Sequence, residues 1–361
     1  MDREFYLNLA ERGLCMPIAT DLILHEENKP EEVRNDSGAL GRVIERAAQR
    51  WGTPLAVPLM DLRLEKIDLL SLAGIPAAEA EAFHFTSPLD EDTVMNLCRE
   101  RTAPASAGSV ARDESLAYIR TQENLVPVGM TIGPFSLTTQ LMVDPITATA
   151  LAGLGDDTED VRLLWQCLRV SEAAVVRSVL NQIRSGAKAI MVCEPAACTA
   201  FISPLRVKSG SNVFERLVME PNIRLKVLLE EAGCDLILHD CGELTDSMVE
   251  AFAHRLHPVI LSLGSSRKLW EDARIIPDDV VLYGNLPSKS FYSDSAMPLE
   301  EVFRRADEIV LRMKACGHPH ILGTECDVLF VPEARDTILR KVDAMNARVA
   351  PGASHRWHFR N

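Results

Sequence analysis

The chain has 361 residues, 47% of them hydrophobic, which is enough apolar sequence to fill one large core. With 52 acidic against 38 basic side chains its formal charge is −14, a balance that disfavours nucleic acid and anionic membrane surfaces as partners. No stretch reaches the ~20 apolar residues of a membrane span, and Met1-Asp2-Arg3-Glu4 lacks the pattern of a secretory leader, so a cytoplasmic protein is expected.

The first ~50 residues read as helix, loop and helix. The second helix, over 39–51, is carried by Leu40, Val43, Ile44 and Ala47 at helical spacing. The apolar run Pro54–Met60 reads as a first buried strand. From about residue 113 strands and helices alternate. Strands are expected at Val126–Ile132, Lys188–Cys193, Asp235–Leu238, Pro258–Leu263, Val280–Tyr283 and His320–Leu322. Helical segments run through Leu137 and Leu141, then over 157–185, 212–232, 243–254, 266–273, 299–315 and 332–346. This rhythm implies a parallel sheet, and roughly eight such units favour an α/β fold of the closed (β/α)8 TIM-barrel type with additional N-terminal helices. The expected organisation is a helical extension (1–50) packed on a barrel (51–346), followed by a C-terminal tail (347–361) that is mobile from Ala350 on. No Gly-x-Gly-x-x-Gly follows any strand, so no dinucleotide site is expected.

Barrels place their chemistry at the carboxyl ends of the strands. Here those ends read Gly133-Pro134, Glu194-Pro195, His239-Asp240-Cys241-Gly242, Gly264-Ser265, Gly284-Asn285 and Gly323-Thr324-Glu325-Cys326-Asp327. In an extended segment residues i and i+2 point to the same side, so His239 and Cys241 can converge. Imidazole and thiolate are favoured zinc ligands, and Cys326 at a later strand end supplies a third. Three protein ligands with one open position is the catalytic arrangement. A His-x-Cys pair alone is as compatible with a structural role; its place at a strand end before a glycine points to a ligand pair. Cys193 reads as a buried strand residue and Cys198 as a competitor near the same face. Cys15, Cys98, Cys167 and Cys234 read as core fillers. His318 and His320 form another i, i+2 pair, but they precede their strand and belong to the opposite end of the barrel.

At these residues the sequence resembles the uroporphyrinogen decarboxylase superfamily. The carriers are Gly133-Pro134-Phe135-Ser136-Leu137, Glu194-Pro195-Ala196-Ala197 with Ile202-Ser203-Pro204, and His239-Asp240-Cys241-Gly242, in order and spacing. The branch it looks like is the cobalamin-dependent methyltransferases, over roughly residues 50–346. The resemblance implies that His239, Cys241 and Cys326 bind zinc. There are departures. Coenzyme M methyltransferases tend to carry a glycine beside the last cysteine, where this chain has Glu325 and Asp327. The Arg-Gln-Ala-Gly-Arg segment that binds porphyrin carboxylates in true decarboxylases is absent, which argues against porphyrinogen decarboxylation.

The implied function is methyl transfer at zinc between a small molecule and a corrinoid. The cobalamin-binding signature Asp-x-His-x-x-Gly is absent, so the cobalamin would ride on a separate corrinoid protein. An aryl methyl ether as donor (O-demethylation) is the leading expectation. A methylcobalamin:thiol methyltransferase of the coenzyme M type and a uroporphyrinogen decarboxylase-like lyase are the alternatives. Glu194 and Asp240 are the candidate catalytic carboxylates, either filling the open metal position or holding a substrate group. Phe135, Asn285 and Glu325 are the candidate substrate contacts.

Overall fold

The computed structural model describes residues 1–99 and 105–347; the expected mobile tail lies outside the described residues. Seven strands form one parallel sheet in sequential order: β1 (Leu55–Ala56), β2 (Val126–Ile132), β3 (Ala189–Cys193), β4 (Asp235–Asp240), β5 (Ile260–Leu263), β6 (Val281–Leu286) and β7 (His320–Thr324). Helices intervene between successive strands, as parallel crossovers require. The sheet is consistent with a TIM-like barrel, although seven strands are named where about eight were expected.

The two edges of the sheet are joined by an extended segment near the N-terminus. Cys15 bridges Leu322 of β7, and the Ile18 amide donates to Thr324 Oγ1 at 3.1 Å. On the other side, Thr20 Oγ1 donates to the Val57 carbonyl at 2.7 Å. The expectation of a helical extension ahead of residue 50 therefore meets a chain that is built into the core from residue 6 onward. Tyr6, Leu9, Leu14, Met16 and Ile18 share one apolar cluster with Val128, Met130, Met191, Ile237, Val281 and Ile321. The strand members of this cluster recur at every second position, the period of a face turned inward. Alternate residues, such as Ile190, Val192, Leu236, Leu238, Leu261 and Leu282, belong to a second cluster with the surrounding helices. The N-terminal helix Arg3–Glu11 crosses the amino ends of the strands. There the Arg3 guanidinium donates to the carbonyls of His257, Pro258 and Asp279, and Tyr6 Oη donates to Asp235.

Most expected helices are present with shifted ends. The long one spans Glu159–Ser185, its first turn capped by Thr158 and its end closed by Gly186 in the left-handed conformation. The segment expected at 266–273 is helical only over Leu269–Asp272, and the strand expected at Pro54–Met60 pairs only at Leu55–Ala56. Helices at Leu64–Leu72 and Ala107–Ile119 are additional to the expected set. Among the described residues no helix is long and apolar enough to cross a membrane.

Candidate metal centre

Strand alternation turns His239 inward on β4 and carries Cys241 to the same side just past the strand end. Register then supplies a partner. His239 is aligned with Ser262 on β5, and its Nδ1 lies 2.8 Å from Ser262 Oγ. With Nδ1–H donating to that hydroxyl, Nε2 keeps its lone pair. His239 is 1% exposed and its Nε2 has no hydrogen-bond partner. A buried polar nitrogen left this way costs free energy unless something fills its lone pair.

What faces it are two sulfurs. The donor atoms of His239, Cys241 and Cys326 lie within 4.8 Å of one another. Cys326 arrives from the far edge of the sheet, two residues after β7. Gly264 makes room for the backbone at Cys241, because a Cβ there would lie 2.6 Å from the Cys241 carbonyl oxygen. The Cys326 thiol, then His239 and the Lys289 ammonium, hold the Cys241 thiol down at about 3 against the upward push of burial. Cys326 is pushed the other way, first by its bond to Cys241 and then by burial. Lys289 Nζ stands 3.7 Å from Cys241 Sγ, on the turn that follows β6. Met60 Sδ lies 3.9 Å from Cys326 Sγ. An orphaned imidazole nitrogen and two convergent sulfurs are a donor set that fits zinc.

The other expected residues lie around this cluster rather than in it. Glu194 is fully buried, and both oxygens are taken: Oε1 by Phe135 N and Asn222 Nδ2, Oε2 by Ser136 N and Oγ. It ties the end of β3 to the start of the helix Pro134–Gln140, and its approach requires Gly133, where a Cβ would overlap the carboxyl group. Burial pushes its pKa up, while Asn222 and Ser136 oppose the shift. A catalytic role for Glu194 would mean giving up these bonds. Asp240 points away from His239, as an adjacent strand residue must. It is 0% exposed; Oδ1 accepts from Gly242 N at 2.8 Å and Oδ2 has no partner. Burial, with the charges of Cys241 and Glu194, raises its pKa well above the ordinary carboxylate value, against the bond from Gly242 N.

Phe135 is 0% exposed and packs edge-on against Phe201, presenting no free surface. Asn285 spends its amide N–H groups on the carbonyls of Gly264 and Arg267 at 2.7 and 3.0 Å, fixing the loop after β5. Glu325 accepts from Ser265 N and Oγ at 3.2 and 2.6 Å and adds its charge beside Lys289. Cys193 is a fully buried inward strand residue and Cys198 is buried; neither joins the metal cluster. Ser262, Lys289 and Met60 went unseen in the sequence. For Ser262 a signal existed: it is the one hydroxyl in the apolar run Ile260–Leu263.

Residues 106–346, two thirds of the chain, match the family described as uroporphyrinogen decarboxylase (URO-D). The chain belongs to the uroporphyrinogen decarboxylase family. Among curated protein sequences no relative matches. Among solved structures, a methyltransferase from Methanosarcina mazei shares the fold at a TM-score of 0.64 and 14% identity, covering 95% of this chain and 97% of its own. The His-x-Cys pair of this uroporphyrinogen decarboxylase family member thus sits on a barrel shared, end to end, with a protein of that name.

Proposed function

We propose that the protein is a zinc-dependent methyltransferase that moves a methyl group from a small donor, an aryl methyl ether, to the cobalt of a separate corrinoid protein. The observation that carries the reading is the cluster of His239 Nε2, Cys241 Sγ and Cys326 Sγ at the carboxyl end of the barrel. Three protein ligands leave a position for substrate, as catalytic rather than structural zinc sites do. The fold shared with the Methanosarcina mazei methyltransferase supports transfer over decarboxylation. In this reading the barrel is a closed (β/α)8 type, with residues 15–18 as its eighth stave.

His239, Cys241 and Cys326 would hold the zinc, which when bound supplies Lewis acidity to the substrate heteroatom. The chain's own contributions are positional. Ser262 fixes the imidazole so that Nε2 faces the sulfurs. Asp240, on the opposite side of the strand from His239, stiffens the turn carrying Cys241 by accepting from Gly242 N. Glu194 anchors the neighbouring helix start, and Phe135 packs behind it. Asn285 holds the loop that borders the site. Glu325 and Lys289 are the charged pair beside the cysteines, and Glu325 is the carboxylate assigned to a substrate group.

A second reading is favoured by charge. Two thiolates cancel the zinc's double charge, which weakens its Lewis acidity and suits a bound thiol that takes a methyl group from methylcobalamin. Cobalt absorbance separates the two. Enzyme, a reduced corrinoid protein and methoxyarenes should show loss of cobalt(I); thiols with the methylated corrinoid protein should regenerate it if the reverse direction holds. No turnover in either direction, with zinc present at one equivalent, would leave a uroporphyrinogen decarboxylase-like lyase as the better description.

A further inference from the structure

Each of the three candidate ligands has a partner behind it, and two of those partners stand side by side. Ser262 on β5 serves His239. The turn Ser288–Ser290, which follows β6, serves both cysteines: Ser288 Oγ donates to the Cys326 carbonyl at 3.3 Å, and Lys289 Nζ donates to Cys241 Sγ at 3.7 Å. The turn rests on a buried base. Phe291 is 0% exposed, its N–H returns to the Ser288 carbonyl at 3.0 Å, and its own carbonyl accepts from Lys341 Nζ at 2.9 Å. Lys341 is itself buried and comes from the last helix, Arg335–Asn346. A lysine side chain has much rotamer freedom to lose. Here its backbone end is pinned, so the ammonium starts from a fixed point beside the sulfur.

Lys289 also stands where a ligand must arrive. His239 is buried, whereas Cys241 and Cys326 are half-buried and Lys289 is exposed, so the cluster opens on the side of the cysteines and the lysine. The negative groups around the ammonium are Cys241, Cys326 and Glu325, and Glu325 is already held by Ser265 N and Oγ. Two thiolates and a neutral imidazole around a divalent ion sum to zero charge, which leaves that ion little attraction for an incoming electron pair. The ammonium restores one positive charge on the open side. Its N–H also draws on the sulfur's electron density, which the thiolate otherwise gives to the metal.

We infer that Lys289 is a positioning residue that acts through Cys241: by donating to that thiolate it keeps a bound metal electrophilic in spite of two sulfur ligands, and so favours activation of an ether oxygen over delivery of a bound thiol. The inference rests on the reading of His239, Cys241 and Cys326 as zinc ligands.

The test uses cobalt(II) alone in place of zinc, on the full chain and on its Lys289→Met and Lys289→Arg variants, with no corrinoid and no substrate. The parent should show the intense absorption of sulfur-to-cobalt(II) charge transfer; a parent without that band overturns the zinc reading and this inference with it. With the band present, Lys289→Met should move it to longer wavelength, because a sulfur that has lost its N–H donor gives up an electron more easily. The same variant should bind azide at the open position about tenfold more weakly, the order that one nearby charge carries close to a protein surface. Lys289→Arg, which keeps a charge and a donor, should restore most of both. An exposed lysine of merely structural role would move neither the band nor the azide affinity. A Lys289→Met protein with the parental band and the parental azide affinity therefore overturns the inference and leaves the metal centre standing.

Discussion

The two ends of this barrel carry the same sequence device in different surroundings. At the carboxyl end, His239 and Cys241 stand two residues apart; at the amino end, His318 and His320 do. At the amino end each ring bonds the backbone, His320 Nε2 lying 2.8 Å from the Gly284 carbonyl and His318 Nε2 2.9 Å from that of Val280, and the left-over Nδ1 of His318 has no sulfur opposite it, only the Asp278 carboxylate 3.8 Å away. Burial pushes His320 down to about 4, so it is neutral and structural. At the carboxyl end the bond to Ser262 goes to the other nitrogen, and the free one faces two sulfurs. Spacing alone does not mark a ligand. Which nitrogen is left over, and what stands opposite it, does.

The sharpest way to break this comparison is to remove one sulfur. Cys326→Ser should lower zinc affinity by more than about a hundredfold, beyond the loss typical of an outer partner. His320→Gln should leave one zinc per chain, measured by atomic absorption after dialysis against a chelator. A His320→Gln protein that loses its zinc would erase the distinction between the ends.

The next effect is on stability. His320 in the folded chain titrates at about 4, below the ordinary 6.5. Between those values the unfolded chain takes up a proton that the folded chain refuses. The contribution is therefore fully present above pH 6.5 and is lost as pH falls through 4, by about 3 kcal/mol. Denaturant midpoints at pH 7 and 4.5 should fall less in His320→Gln than in the parent. Equal falls would show that the ring is not held neutral.

The smallest effect is that of the imidazole's support. Ser262→Ala should weaken zinc binding about tenfold while keeping the site intact, because the three ligands remain and only the ring's orientation is freed. Competition with a chromophoric chelator reads this directly, and an unchanged affinity would remove Ser262 from the site's design.

The convergence of His239 and Cys241 was legible because strand alternation is a local rule, and a polar triplet after an apolar run marks a strand end. Ser262 was not, because its meaning depends on the register between β4 and β5, which no local pattern contains. The helix Ala107–Ile119 escaped for a different reason. It buries polar as well as apolar residues, among them Ser109, Arg112, Asp113 and Ser115, so its apolar period is broken. Those groups are paired out of sight: Arg112 with Glu65 at 2.7 Å, and Glu65 in turn with Ser178 at 2.6 Å. The parallel strand–helix rhythm was read correctly, while the joining of the sheet's edges by residues 15–18 rests on a single bridge and a few side-chain bonds that leave no period to detect.

That joining segment has a consequence for how the protein is made. Ile18 is held by Thr324, 306 positions downstream, so residues 15–18 must wait for β7 to be made before their places exist. Until then the apolar side chains of Tyr6, Leu9, Leu14 and Met16 have only part of their core to enter. Contacts of such sequence separation slow folding and leave a growing chain with unburied edges. The contacts between residues 15–18 and β7 therefore form only once β7 has been made, and a nascent chain stalled before β7 should be held by chaperones and cut readily by proteases around residues 6–18.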